Sequence, residues 1–146
     1  MGVRRESRES ALQALHAMDM QHNMSERMLS LFCESFPPTE TGKDFFDRLV
    51  KGVMQVQSEL DDLIERFSSN WKLSRMSGVD RNILRIAAYE ILYCDDIPYK
   101  VSINEAIDIG KKFGTEESGA FINGILDSIR IALENKEINV SEVASP

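Results

Sequence analysis

The sequence has no apolar run approaching the roughly 18 residues that a bilayer-spanning helix needs. Its opening, MGVRRESRES, lacks the apolar stretch and the small-residue cleavage site of a secretory signal. The leading Met-Gly falls short of a myristoylation signal, because the charged residues that follow suit a helix better. Cysteine is scarce. Cys33 and Cys94 stand far apart in the apolar settings LFCES and ILYCD, with no C-x-x-C pair. They read as reduced, half-buried thiols, which makes the cytoplasm the expected compartment.

Catalytic signals are equally scarce. His16 and His22 are six residues apart, a spacing that a continuous helix does not place on one face, and no third ligand stands at metal spacing. There is no Walker A sequence, no nucleotide-binding glycine pattern and no nucleophile elbow. The acidic pairs Asp61–Asp62 and Glu116–Glu117 are adjacent, so each pair splits between helical faces and reads as solvated surface. Nothing assembles a nucleophile, a base and an orienting group. The chain is expected not to be an enzyme and to need no catalytic residue, metal, cofactor or small-molecule substrate.

What is present is helical periodicity over 146 residues, a length that suits one domain with a real core. No strand alternation, internal repeat or low-complexity stretch interrupts it. The first helix is predicted over about Arg4–Gln21, with Ala11, Leu15 and Met18 as its apolar stripe. Ser25 opens a second helix that Pro37 and Pro38 end. A long third helix is predicted from Lys43 to Phe67, with Gly52 inside it marking close approach of another helix. Ser68–Gly78 reads as a linker anchored by Trp71 and Leu73. Ser77 then caps a helix bearing Ile83, Leu84, Ala88 and Ile91. Ser102 and Glu105 form a second capping box, with Gly114 as the closing residue after that helix. The last helix begins near Thr115.

The expected fold is all-α, with six to seven helices in two subdomains, about 1–70 and 71–135, forming one compact domain. Residues 136–146 read as a polar C-terminal tail.

Net charge is −7, which excludes a broad basic groove for nucleic acid. Residues 1–15 nevertheless carry three arginines against two glutamates, whereas the remainder holds 14 basic and 22 acidic residues. Cations in a helix's first turn oppose the macrodipole, so Arg4, Arg5 and Arg8 do not serve helix stability. Their i,i+4 and i,i+3 spacings let them clamp phosphates or stack on bases. Alternatively they form a solvated face paired with Glu6 and Glu9. The segment KKFGTEESGAFING offers a second candidate. Lys111 and Lys112 bring charge, Phe113 and Phe121 bring rings, and Gly114 and Gly119 allow close backbone approach. Core packing is the competing reading for both rings.

Several segments together resemble the NusB family of bacterial transcription antitermination factors. They are RRESRESALQALHAMD, FFDRLVKGV, LDDLIERFSSNWKLSRMSGVDRNILRIAAYEIL and DIPYKVSINEAIDIGKKFGTEESGAFINGILDSI. The likeness covers roughly residues 4–133. It implies the NusB fold, binding to the boxA element of nascent ribosomal RNA, and a small-subunit ribosomal protein, NusE, as partner. The pair would join the RNA polymerase antitermination complex and suppress termination in rRNA operons. By position, the resemblance implies RNA contacts at Arg4, Arg5, Arg8, Lys100, Phe113, Gly114, Ser118, Phe121 and Asn123. It implies a NusE-facing surface at Arg85, Tyr89 and Glu90. Two departures stand out: Glu6 replaces a frequent basic residue and His16 a frequent tyrosine. RNA binding by the chain alone is therefore expected to be weak. The runner-up reading is a purely protein-binding helical scaffold, a homodimer that hides the RNA surface.

Overall fold

A computed structural model describes residues 2–69 and 71–139. Among them are seven α-helices, one short 3₁₀ turn and no strand. The helices are α1 (Val3–Met20), α2 (Glu26–Ser35), α3 (Lys43–Gln55), α4 (Gln57–Arg66), α5 (Gly78–Tyr93), α6 (Tyr99–Phe113) and α7 (Ser118–Glu134). The 3₁₀ turn spans Leu73–Arg75.

The central helix is α5, which is packed against α1, α3, α4, α6 and α7. Seven consecutive residues, Asn82 to Ala88, are buried. A helix buried all round is a central one, and the others arrange themselves about it. On one side α1 lies against α3 and α5. On the other, α6 and α7 pair with each other and both touch α5. Phe46, Leu15, Leu49, Leu84, Ile122 and Leu126 fill the shared core. Each such side chain contributes about 1.5–3 kcal/mol by leaving water.

Helix starts follow local chemistry where the sequence supplies it. Ser25 Oγ accepts the Met28 amide at 3.2 Å, and Ser77 Oγ accepts the Asp80 amide at 3.1 Å, each satisfying one orphan donor. Two helix ends use the left-handed region without glycine. At φ 53°, His22 lets the amides of His22 and Asn23 reach back to Asp19 and Met18, and Lys136 at φ 59° does the same for Leu133 and Ala132. Both ends are Schellman closures.

The structure corrects four local expectations. The long third helix is two segments bent at Val56, whose backbone still bonds to Gly52 and Leu60. The bend keeps both α3 and α4 against α5. The capping box at Ser102 is not used, because α6 begins earlier, at Tyr99 behind Pro98. Gly114 caps α6 at φ −100°, outside the left-handed region, and α7 starts at Ser118. Finally, the start of the expected polar tail is docked. Ile138 is buried in the core beyond the Lys136 turn. Residues 140–146 of that tail lie outside the described residues.

Gly52 does mark a close approach. A Cβ there would overlap the Tyr89 ring of α5.

Candidate nucleic-acid interface

The three N-terminal arginines all meet carboxylates from the far end of the chain. Arg8 is 4% exposed and makes a two-pronged pair with Glu90, with both N–O distances 2.8 Å. Glu90 also accepts from Ser102 Oγ at 2.8 Å, and Arg8 reaches Glu105 at 3.3 Å. Burial alone would lower the Arg8 pKa, but Glu90 and Glu105 outweigh it and hold the guanidinium charged. Arg5 clamps Glu105 through two 2.6 Å bonds and adds Asp108 at 2.9 Å. The Arg5 hydrogen bond is the main reason that the Glu105 carboxyl sits below its ordinary range. Arg4 bonds Asp96 at 3.3 Å and lies 4.6 Å from the Phe45 ring centre. Arg48 holds the same Asp96 at 2.8 Å, and its hydrogen bond chiefly drives that carboxyl far below the usual range.

These contacts sort the arginines. Arg8 does not reach the surface, because its side chain turns onto Glu90 of α5 and Glu105 of α6; it is an interior tie. Arg5 is half-buried along the α1–α6 seam. Arg4 is half-exposed in its side chain. The alternative pairing with Glu6 and Glu9 is not what forms. Glu9 instead accepts from Lys112 at 2.9 Å, so the bridge again runs from α1 to α6.

The second segment ends α6 and opens α7, and its Lys112 reaches α1 through Glu9. Lys100 is exposed on the first turn of α6, and Phe113, half-buried, ends that helix with Lys112 Nζ 5.2 Å from its ring centre. About 20 Å of helix separates the two, at 1.5 Å per residue. Gly114 is exposed, and a Cβ there would strike the Ser118 hydroxyl. Ser118 itself is buried. Its Oγ accepts the Thr115 amide at 2.9 Å and donates to Asp80 at 2.7 Å. It fastens the α6–α7 turn to α5. Phe121 is half-buried, and Asn123 is exposed on α7. The exposed members of the expected set beyond α1 are thus Lys100, Gly114 and Asn123, with Phe113 and Phe121 half-buried and Ser118 buried.

Sequence reasoning left out two residues beside this set. Trp71 is 52% exposed and packs edge-on against Phe121 at 6.1 Å between ring centres. Arg75 lies by it on the 3₁₀ turn. A lone tryptophan in a polar serine-rich stretch was the available signal.

The residues expected to face a protein partner do not form one face. Arg85 is buried, bonding Asp61 through both prongs at 2.7 and 2.9 Å and Asp19 at 3.2 Å. Glu90 is taken by Arg8. Tyr89, half-buried, lies over Gly52 and beside Tyr93, with ring centres 5.1 Å apart. Arg85 and Glu90 point into the interior because each has an opposite charge waiting there. They can support a partner surface from beneath but do not make it.

Among the described residues no helix is long and apolar enough to cross a membrane, and no group of three His, Cys, Asp or Glu side chains is placed to hold a metal.

Comparison with known proteins identifies relatives of this chain and of its fold. The model of the NusB family matches residues 5–130. The transcription antitermination protein NusB of Desulfatibacillum aliphaticivorans is 58% identical over 137 residues, covering 94% of this chain and 96% of its own. The same protein from Geobacter sulfurreducens is 49% identical, covering 93% and 99%. Among solved structures, T. maritima NusB superposes with a TM-score of 0.80 at 39% identity, covering 92% of this chain and 97% of its own. A NusB crystallised with NusE and double-stranded RNA has the same fold, with a TM-score of 0.78 at 23% identity over 89% and 97% of the two chains.

Proposed function

This chain belongs to the NusB family, and from that membership we infer that it is a transcription antitermination factor. It binds the boxA element of nascent ribosomal RNA together with the ribosomal protein NusE, in the cytoplasm, and joins the RNA polymerase antitermination complex. The observation that carries this reading is the nearly full-length likeness to antitermination proteins. The seam between α1 and α6 supplies the surface. Of the residues proposed to meet RNA, Arg4, Lys100, Gly114 and Asn123 are exposed, and Phe113 and Phe121 are half-buried. Rings that stack on bases and cations that meet phosphates are the two elements of single-stranded RNA binding.

The carboxylates on this seam set the strength of binding. Asp96 and Asp108 already occupy Arg4 and Arg5. A phosphate must displace them, and the net charge of −7 adds long-range repulsion. Binding by the chain alone is accordingly weak, and NusE is needed to complete the surface. This role is a binding role without a catalytic step.

The test is a gel-shift titration of boxA RNA and a scrambled RNA, each with and without NusE. The expected result is a clear preference for boxA in the complex, with the salt slope of a few phosphate contacts. Equal affinity for both RNAs overturns the reading. A homodimer that covers the seam would instead show a doubled mass and loss of RNA binding as concentration rises.

A further inference from the structure

An exposed tryptophan is unusual, because so large an apolar side chain normally gains by burial. Trp71 is also held firmly. Its amide bonds to Ser68 O at 3.2 Å, and Ser68 Oγ donates back to the Trp71 carbonyl. The next turn is pinned by the Leu73 amide on Glu65 at 2.8 Å. The indole meets Phe121 by an edge, at 75° between ring planes, so a face-to-face stack between the two is not made. Trp71, Arg75, Asp80, Thr115, Glu117 and Phe121 are among the residues lining an open cleft of about 320 Å³. It is roomy enough for one nucleobase.

We propose that this cleft takes one unpaired base of the bound RNA, stacked on the open face of Trp71, with Arg75 meeting the neighbouring phosphate. This rests on the RNA-binding reading above and extends it to residues outside the set that the resemblance implied. Three features favour a base over another occupant. The platform is a flat ring on a backbone tied to Ser68, with one edge against Phe121, which lowers the ordering cost. One cation, Arg75, lines it beside two carboxylates, of which Asp80 is held by Ser118. And the cleft is continuous with the Gly114–Phe121 end of the seam, since Thr115 and Glu117 belong to the same turn. A base in a duplex is already stacked on its neighbours, so the cleft selects single-stranded RNA.

The chain's only tryptophan is Trp71, which makes its emission a direct probe. Single-stranded boxA RNA is titrated into the complex of the full chain with NusE, and emission is read against a Trp71→Phe complex as blank. We expect quenching with the same midpoint as the gel shift, and no quenching by the same sequence annealed into a duplex. Trp71→Ala weakens binding roughly five- to hundredfold, the range of a lost base stack, while Trp71→Phe retains most of it. Circular dichroism of both variants checks that the fold is intact. If RNA shifts the complex while emission stays constant and Trp71→Ala binds normally, the cleft proposal fails and the RNA reading stands. Emission that changes with NusE alone, and no further with RNA, assigns the cleft to the protein partner and overturns the proposal. Absence of any RNA binding overturns both.

Discussion

Arg8 and Glu90, 82 residues apart in sequence, meet in the interior through two parallel 2.8 Å bonds and are 4% and 1% exposed. The pair joins α1 to α5, and Ser102 extends it to α6. A guanidinium that the family resemblance would give to RNA is thereby consumed in holding the proposed RNA surface together.

Removing one member should be costly. Arg8→Ala leaves Glu90 buried without its main partner, and a loss of about 3–5 kcal/mol is expected. Replacing both, as Arg8→Met with Glu90→Leu, should recover much of that. Urea denaturation of the three variants measures it. Loss of RNA binding by Arg8→Ala in step with unfolding, and its return in the double variant, separates a structural role from a direct contact.

Asp96 should act as a competitor for RNA. Asp96→Asn removes the charge that ties Arg4 and Arg48. Tighter RNA binding is expected, with a log–log salt slope steeper by about 0.7 for each further phosphate neutralised. Arg4→Ala should move both quantities the other way. Filter binding across a salt series reads this out, and unchanged slopes in both variants would exclude the competition.

Stability should fall on the acid side. Burial pushes the Asp19 carboxyl up, but hydrogen bonds from Asn82 and Arg81 and the charge of Arg85 outweigh it, leaving the pKa below its ordinary 3.8. Glu105 is held below 4.5, chiefly by Arg5. A depressed carboxyl stabilises the fold above its unfolded pKa, and that contribution disappears as pH falls through the folded value. Unfolding free energy should therefore be flat near neutrality and decline below about pH 4. The Asp19→Asn variant should be less stable at pH 7 and show a shallower decline, as followed by thermal melts at stepped pH.

Gly52 should resist substitution. In an open helix, alanine would gain roughly 1 kcal/mol over glycine. Here the added methyl meets the Tyr89 ring, which is hemmed in by Tyr93. A net loss of about 1–3 kcal/mol is expected from overpacking. Gly52→Ala combined with Tyr89→Leu should be less destabilised than the sum of the two single changes, as measured by urea denaturation.

Much of the fold was legible in the chain. Ser25 and Ser77 announced their helices because a cap acts on an amide three residues away. Gly52 announced its neighbour because a missing side chain in a helix needs a reason. The bend at Val56 was hidden, since its apolar pattern continues across it. Ser102 and Glu105 misled for an instructive reason. Their spacing matches a capping box, but Ser102 bonds Glu90 and Glu105 bonds Arg5. Both side chains are spent on long-range partners. The same holds for the site. Arginine positions could be read from sequence, whereas which arginine becomes interior depends on carboxylates 82 to 103 residues further on.

That separation also fixes an order of events during synthesis. The first helix leaves the ribosome complete, but Glu90, Glu105 and Asp108 have yet to be made. At about 5–20 residues per second, the wait is on the order of 5–20 seconds. Until then Arg5 and Arg8 have none of the carboxylates that later hold them. The earliest of these helices to be made therefore gains its arginine ties only once most of the chain exists.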